Sequence, residues 1–139
     1  MSPVLLALVG ASALVVVAVV LLRGRAFGAF AAVLLTIHTG TVAGLWGSLQ
    51  PVLPLVLWLH AALLFHLLAL VRARLRSKLY RALISVPAHA ALAGSMLAFP
   101  WAIAAAMGLP PHGWWLPYLV AALSIPGSLR ARQEVVDLV

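Results

Sequence analysis

Cysteine is absent from this chain, and acidic residues nearly so: Glu134 and Asp137 are the only two in 139 residues. Without a thiol there is no disulfide, no thiolate metal site and no cysteine nucleophile. Both carboxylates fall in a short C-terminal stretch, so the body of the chain cannot build a carboxylate-held metal cluster or a carboxylate acid–base pair. No Gly-rich phosphate cradle ending in Lys-Ser/Thr occurs, and no His-Glu-x-x-His zinc motif. Gly47-Ser48 and Gly94-Ser95 lack the Gly-x-Ser-x-Gly elbow of serine hydrolases, which leaves helix packing and backbone hydrogen bonding as their roles. Charged residues make up only 8% of the chain. That is too few to clothe a soluble fold.

What is present is apolar. Hydrophobic residues make up 65% of the sequence, with a mean hydropathy of +1.17. About 20 apolar residues span a bilayer core, and five segments approach that length, at about 4–22, 26–46, 52–71, 82–107 and 114–129. The first includes Val15-Val16-Val17, which would favour a strand in water. In lipid the cost of unpaired backbone makes it helical. The expected fold is therefore all-α, an integral membrane helical bundle of about five transmembrane helices over 1–129. Residues 130–139 form a tail, and segment 114–129 is the shortest of the five. The N-terminus carries no Lys or Arg before its apolar run and reads as a retained first helix rather than a signal peptide.

The nine Lys and Arg residues all fall on one side of this threading. Arg23 and Arg25 follow the first segment. Arg72, Arg74, Arg76, Lys78 and Arg81 follow the third, and Arg130 and Arg132 follow the fifth. The positive-inside rule then places the N-terminus outside and the C-terminus in the cytoplasm, in a multi-pass protein of the cell inner membrane. Trp46 and the Trp114-Trp115 pair fall at the opposite, outer interface, which indole rings prefer. The net charge of +7 sits beside apolar segments. Anionic lipid on the cytoplasmic side is thus the expected partner of Arg72, Arg74, Arg76, Lys78 and Arg81, and nucleic acid is not.

Two segments carry small residues at every fourth position: Ala32, Thr36, Gly40 and Gly44 in the second, and Ala90, Gly94, Ala98, Ala102 and Ala106 in the fourth. Small side chains on one helix face let backbones approach closely. They serve packing within the bundle or, alternatively, a homo-oligomer or membrane-partner seam.

Histidine inside a membrane segment is a functional candidate by default, and its commoner role is interhelical hydrogen bonding. At 1.5 Å per residue, His38 and His60 lie about 18 and 16 Å from the cytoplasmic ends of their segments. His66 and His89 lie at roughly 8 and 10 Å. Two cross-helix pairs thus share depth. Each has the residue type that axial ligation of a haem b requires, although His60 and His66 are too close along one helix for two haems. His112, in the outer turn, is expected to be solvated.

From about Arg23 onward the chain resembles the N-terminal membrane region of bacterial metallophosphoesterases. The residues that carry the resemblance are Leu22-Arg-Gly-Arg-Ala-Phe-Gly28, Trp58-Leu-His-Ala-Ala62, Tyr80-Arg-Ala-Leu-Ile-Ser-Val-Pro87, Ala98-Phe-Pro-Trp-Ala102 and Ser128-Leu-Arg-Ala-Arg-Gln-Glu-Val-Val-Asp-Leu138. In that family a similar tail leads into a calcineurin-like domain holding two metal ions. The family's metal motifs (Asp-x-His, Gly-Asp, Gly-Asn-His) do not occur here, so no catalytic residue carries over. The resemblance implies a non-catalytic membrane module, with no cofactor of its own, that anchors a cytoplasm-facing phosphoesterase. The strand-like Val135–Val139 would then begin its soluble domain. Two other readings stand beside it: a bis-histidine haem electron carrier and a small structural or assembly subunit.

Overall fold

The computed structural model describes residues 2–72 and 77–125, and every regular element among them is helical. Helix α1, Pro3–Arg23, begins where the Ser2 side chain accepts the Val4 N–H at 3.2 Å. Pro3 sits in the first turn, where its missing N–H costs nothing. The valine run is helical throughout. Helix α2, Arg25–Gly44, starts one residue after α1 ends, and the reversal rests on Gly24 at φ 98° and ψ 171°. That backbone conformation is open essentially to glycine alone. Gly28 of α2 then lies against the Val20 side chain of α1. Gly24→Ala is expected to destabilise this hairpin by about 1–3 kcal/mol, the cost of forcing a side chain into that region. Thermal unfolding in detergent would measure it.

The connection after α2 is itself helical rather than a loop. Helix α3 (Trp46–Leu49) and a 3₁₀ turn (Gln50–Val52) run into α4, Leu53–Leu70, and together they form one span, Trp46–Leu70. Pro51 and Pro54 each fall in a first turn, where proline is tolerated. Past residues 73–76 the chain resumes at Ser77, whose hydroxyl accepts the Tyr80 N–H at 3.2 Å. Helix α5 (Lys78–Tyr80), a π-helical turn (Arg81–Ser85) and α6 (Val86–Ala106) form a continuous rod of 29 residues. The fourth segment therefore starts four residues before the expected position 82. Pro87 explains the widened turn. It has no N–H to donate and its ring crowds the carbonyl one turn back, so the chain passes it with wider pairing, Val86 N–H to Arg81 O.

After α6, Gly108 (φ 81°) and Gly113 (φ 72°) turn the chain, and the Trp101 indole donates to His112 O at 2.8 Å. Helix α7, Leu116–Ile125, has ten described residues, or about 15 Å of rise. Positions 126–129 of the expected fifth span and the whole of 130–139 lie outside the described residues, as do Arg74 and Arg76. Among the described residues four helical rods are long and apolar enough to cross a membrane, and α7 is a shorter apolar helix.

The four rods close into a ring in which α2 packs on α1 and α6, and α4 packs on α6 and α1. Large apolar side chains such as Leu14, Leu21 and Phe65 point outward. Such a surface would aggregate in water and is what a lipid-facing bundle needs. Inside are two apolar clusters. One holds Leu5, Leu8, Val42, Leu45, Val56, Ala98 and Ala102. The other holds Val15, Val19, Leu34, Leu35, Leu63, Leu67 and Ala88.

The second cluster lies nearer the basic end, which is drawn together by its own contacts. The Arg23 guanidinium donates to the Leu70 carbonyl at the end of α4, and it lies 4.4 Å from the Phe27 ring centroid. Arg25, Arg72, Lys78 and Arg81 are exposed.

Candidate functional site

A layer of buried polar side chains separates the two apolar clusters. Along α1 it is Ser12, between Leu8 and Val15. Along α2 it is His38 and Thr41, along α4 His60, and along α6 Ser95. All five are buried, Thr41 and Ser95 completely. Each helix of the ring thus contributes at least one polar group at the same level. Such groups are satisfied across helices or left at a cost.

The pairing runs around the ring. His38 Nδ1 and the Ser95 hydroxyl are 2.7 Å apart, joining α2 to α6. The single Thr41 hydroxyl hydrogen is shared between Ile37 O at 2.8 Å and the Ser95 carbonyl at 3.1 Å. The His38 and His60 rings stack with centroids 5.3 Å apart and planes 23° from parallel, joining α2 to α4. His60 Nε2 lies 3.5 Å from Ser12 Oγ, joining α4 to α1. The Ser12 hydroxyl hydrogen is directed to Leu8 O at 2.9 Å, so its oxygen is left to accept. From α7, the Tyr118 side chain reaches the Ser95 hydroxyl.

Two nitrogens remain over: His38 Nε2 and His60 Nδ1 are buried without a protein partner. Which nitrogen of His38 carries the proton follows from which of His38 Nδ1 and the Ser95 hydroxyl donates to the other. Because the Ser12 hydrogen is engaged with Leu8 O, His60 donates from Nε2 to Ser12 and holds a lone pair at Nδ1.

The second histidine pair lies toward the basic end. The His66 and His89 rings meet edge to face, with centroids 4.7 Å apart. His89 Nδ1 donates to Ser85 O at 2.5 Å, inside the π-helical turn. His112 is exposed. Among the described residues no group of three or more His, Cys, Asp or Glu side chains gathers to hold a metal ion. A bis-histidine haem needs the two imidazoles pointing nitrogen to iron from opposite faces of the macrocycle. The His38–His60 rings instead stack face to face, and the His66–His89 rings touch edge to face. Ligation by either pair would require the helices to part.

No family model, curated protein or solved structure matches the chain. The site must be read from its own geometry.

The small residues divide by neighbour. A Cβ on Gly44 would lie 2.8 Å from the Ala102 carbonyl oxygen, so α2 and α6 touch there backbone to backbone. Gly94 instead sits beneath the Tyr118 ring and admits α7. Ala98 is fully buried and Ala90 half-buried, whereas Gly40 is exposed, with only Phe99 near it.

Beside the polar layer, on the side away from the basic end, is a cavity of about 250 Å³. His38, Val42, Val56, Trp114, Trp115 and Tyr118 are among its walls. In the sequence Ser95 reads only as a packing and backbone hydrogen-bonding residue, and Ser12 and Tyr118 carry no motif. The available signal was a lone hydroxyl within an apolar run, at the depth of a histidine on another segment.

Proposed function

We propose that the chain is a non-catalytic, multi-pass module of a bacterial inner membrane, with its basic end in the cytoplasm, holding a phosphoesterase domain against the bilayer. The observation that carries this reading is the Arg23–Leu70 contact. It ties the end of α1 to the end of α4, so the basic residues that follow these two helices belong to one end of the bundle. A group of Arg and Lys at the end of an apolar bundle suits anionic headgroups, each cation contributing about 1 kcal/mol near a charged surface. The stitched polar layer makes the bundle a firm base for such an anchor. The five-span threading, with the N-terminus outside and the C-terminus inside, belongs to the same proposal, as does the link to phosphoesterases that the sequence resemblance suggests.

Two measurements test it. Green fluorescent protein fused after Val139 is expected to fluoresce and alkaline phosphatase fused there to be inactive; the reverse would put the C-terminus outside and sink the orientation. The gene product immunoprecipitated from native membranes is expected to bring down Mn²⁺-dependent hydrolysis of bis(p-nitrophenyl) phosphate. A precipitate without that activity would remove the phosphoesterase link and leave a structural membrane subunit.

A further inference from the structure

The cavity beside the polar layer has two kinds of wall. One belongs to the ring of four rods and includes Val42 on α2, Val56 on α4 and Ala91 on α6. The other is Trp114, Trp115 and Tyr118, at the start of α7 and just before it. The α7 helix is seated on a narrow stripe. Pro117 and Ala121 are buried and Tyr118 is half-buried, whereas Leu116, Leu119, Val120 and Leu123 are exposed. A short helix with few buried contacts comes away at lower cost than rods packed on two neighbours.

Its seat has a defined fastening. The Tyr118 ring fills a notch at Gly94, where a Cβ would lie 2.9 Å from the ring's Cε1, and the side chain reaches the fully buried Ser95 hydroxyl. The Trp114 ring meets Tyr118 edge to face, with centroids 6.4 Å apart, so these two wall residues form one block. The connection from α6 locates a pivot. Trp101 on α6 donates to His112 O at 2.8 Å, and Pro110 and Pro111 have fixed φ, which ties the chain to α6 as far as His112. The next residue is Gly113, at φ 72°, and glycine turns freely where other residues do not. The turn there is closed by the Trp114 N–H to Pro111 O bond, which is long at 3.2 Å.

We propose that residues 114–125 are a hinged wall of the cavity, which turns about Gly113, is latched by Tyr118 over Gly94 and Ser95, and on release opens the cavity sideways to the bilayer. The four rods pack on one another around the ring, so release uncovers the cavity without taking the bundle apart. The proposal goes beyond the anchor reading and does not rest on it, because wall, latch and pivot all lie within the bundle.

The chain has no native cysteine, so pairs of spin labels can be placed on introduced ones. Leu123→Cys with Leu14→Cys spans α7 and α1, and Phe65→Cys with Leu14→Cys spans α4 and α1; all three sites are exposed. Distances are read by double electron–electron resonance on the full chain in nanodiscs. With Tyr118 in place, one dominant distance is expected for each pair. Tyr118→Ala, which removes both the ring and its contact with Ser95, is expected to add a second distance to the α7 pair, populated at least about tenfold more than before. The α4 pair should not change. Folding is checked by circular dichroism, and Gly94→Leu, which displaces the same ring from the other side, carries the test if Tyr118→Ala does not fold. An unchanged α7 distance in the folded variant would overturn the proposal, because the wall would then be fixed. A shift of both pairs together would also overturn it, because Tyr118 would then brace the whole bundle.

Discussion

Replacing Gly44 with leucine is expected to be the most disruptive single change in the bundle. The Cβ itself would lie 2.8 Å from both the Cβ and the carbonyl oxygen of Ala102, and 3.1 Å from its Cα. No rotamer relieves a collision made by Cβ, and two of the three opposing atoms are backbone. Either α2 and α6 separate or one helix bends. Overpacking of this kind costs about 1–3 kcal/mol, and leucine belongs at the upper end because its further atoms also need space. Gly44→Ala should show most of the effect. Gly10→Ala and Gly47→Ala serve as controls, because a Cβ there meets nothing within 4 Å. Unfolding midpoints in a denaturing detergent series would rank the four. If Gly44→Leu were as stable as the controls, the close approach of α2 and α6 would be wrong.

Ser95→Ala should be the second largest. The substitution removes the hydroxyl 2.7 Å from His38 Nδ1 and the partner of Tyr118, and it barely alters volume. With Nε2 already lacking a partner, the His38 ring would be buried with neither nitrogen bonded. Leaving a buried polar group unsatisfied costs about 1–3 kcal/mol. Interhelical hydrogen bonds in bilayers generally fall at the low end of that range, because the unfolded helices also find partners. Ser12→Ala should cost less, since its contact with His60 is long at 3.5 Å. The expected order is Ser95→Ala, then Ser12→Ala, then an outward-facing change such as Leu14→Ala. Equal effects at Ser95 and Leu14 would mean that the layer does not hold the helices together.

Much of this arrangement is legible in the sequence because a helix converts residue number into depth. Counting 1.5 Å per residue puts His38 level with His60 and His66 near His89, and the structure places each pair in ring contact. Depth, however, carries no information on which way a side chain faces around the axis. That is why haem ligation and ring stacking look alike in the sequence, why Ser12 stays hidden among apolar neighbours, and why Ser95 reads only as a packing residue. The step-of-four stripes show the same limit. Gly44 and Gly94 share the spacing rule, yet one meets α6 and the other α7, while Gly40 faces outward. Helix boundaries shift for local reasons that periodicity does not carry. Pro87 reads in the sequence as a kink or a helix start, and the chain carries the helix past it with a π turn.

Through His38 and Ser95 the polar layer joins α2 to α6 as an energetic unit. A double-mutant cycle on His38→Leu and Ser95→Ala, read by unfolding in detergent or bicelles, tests it most directly. The expected result is a coupling of about 1 kcal/mol or more, since removing either partner already forfeits the shared bond. Additivity to within roughly 0.3 kcal/mol, the level at which independent sites combine, would contradict it.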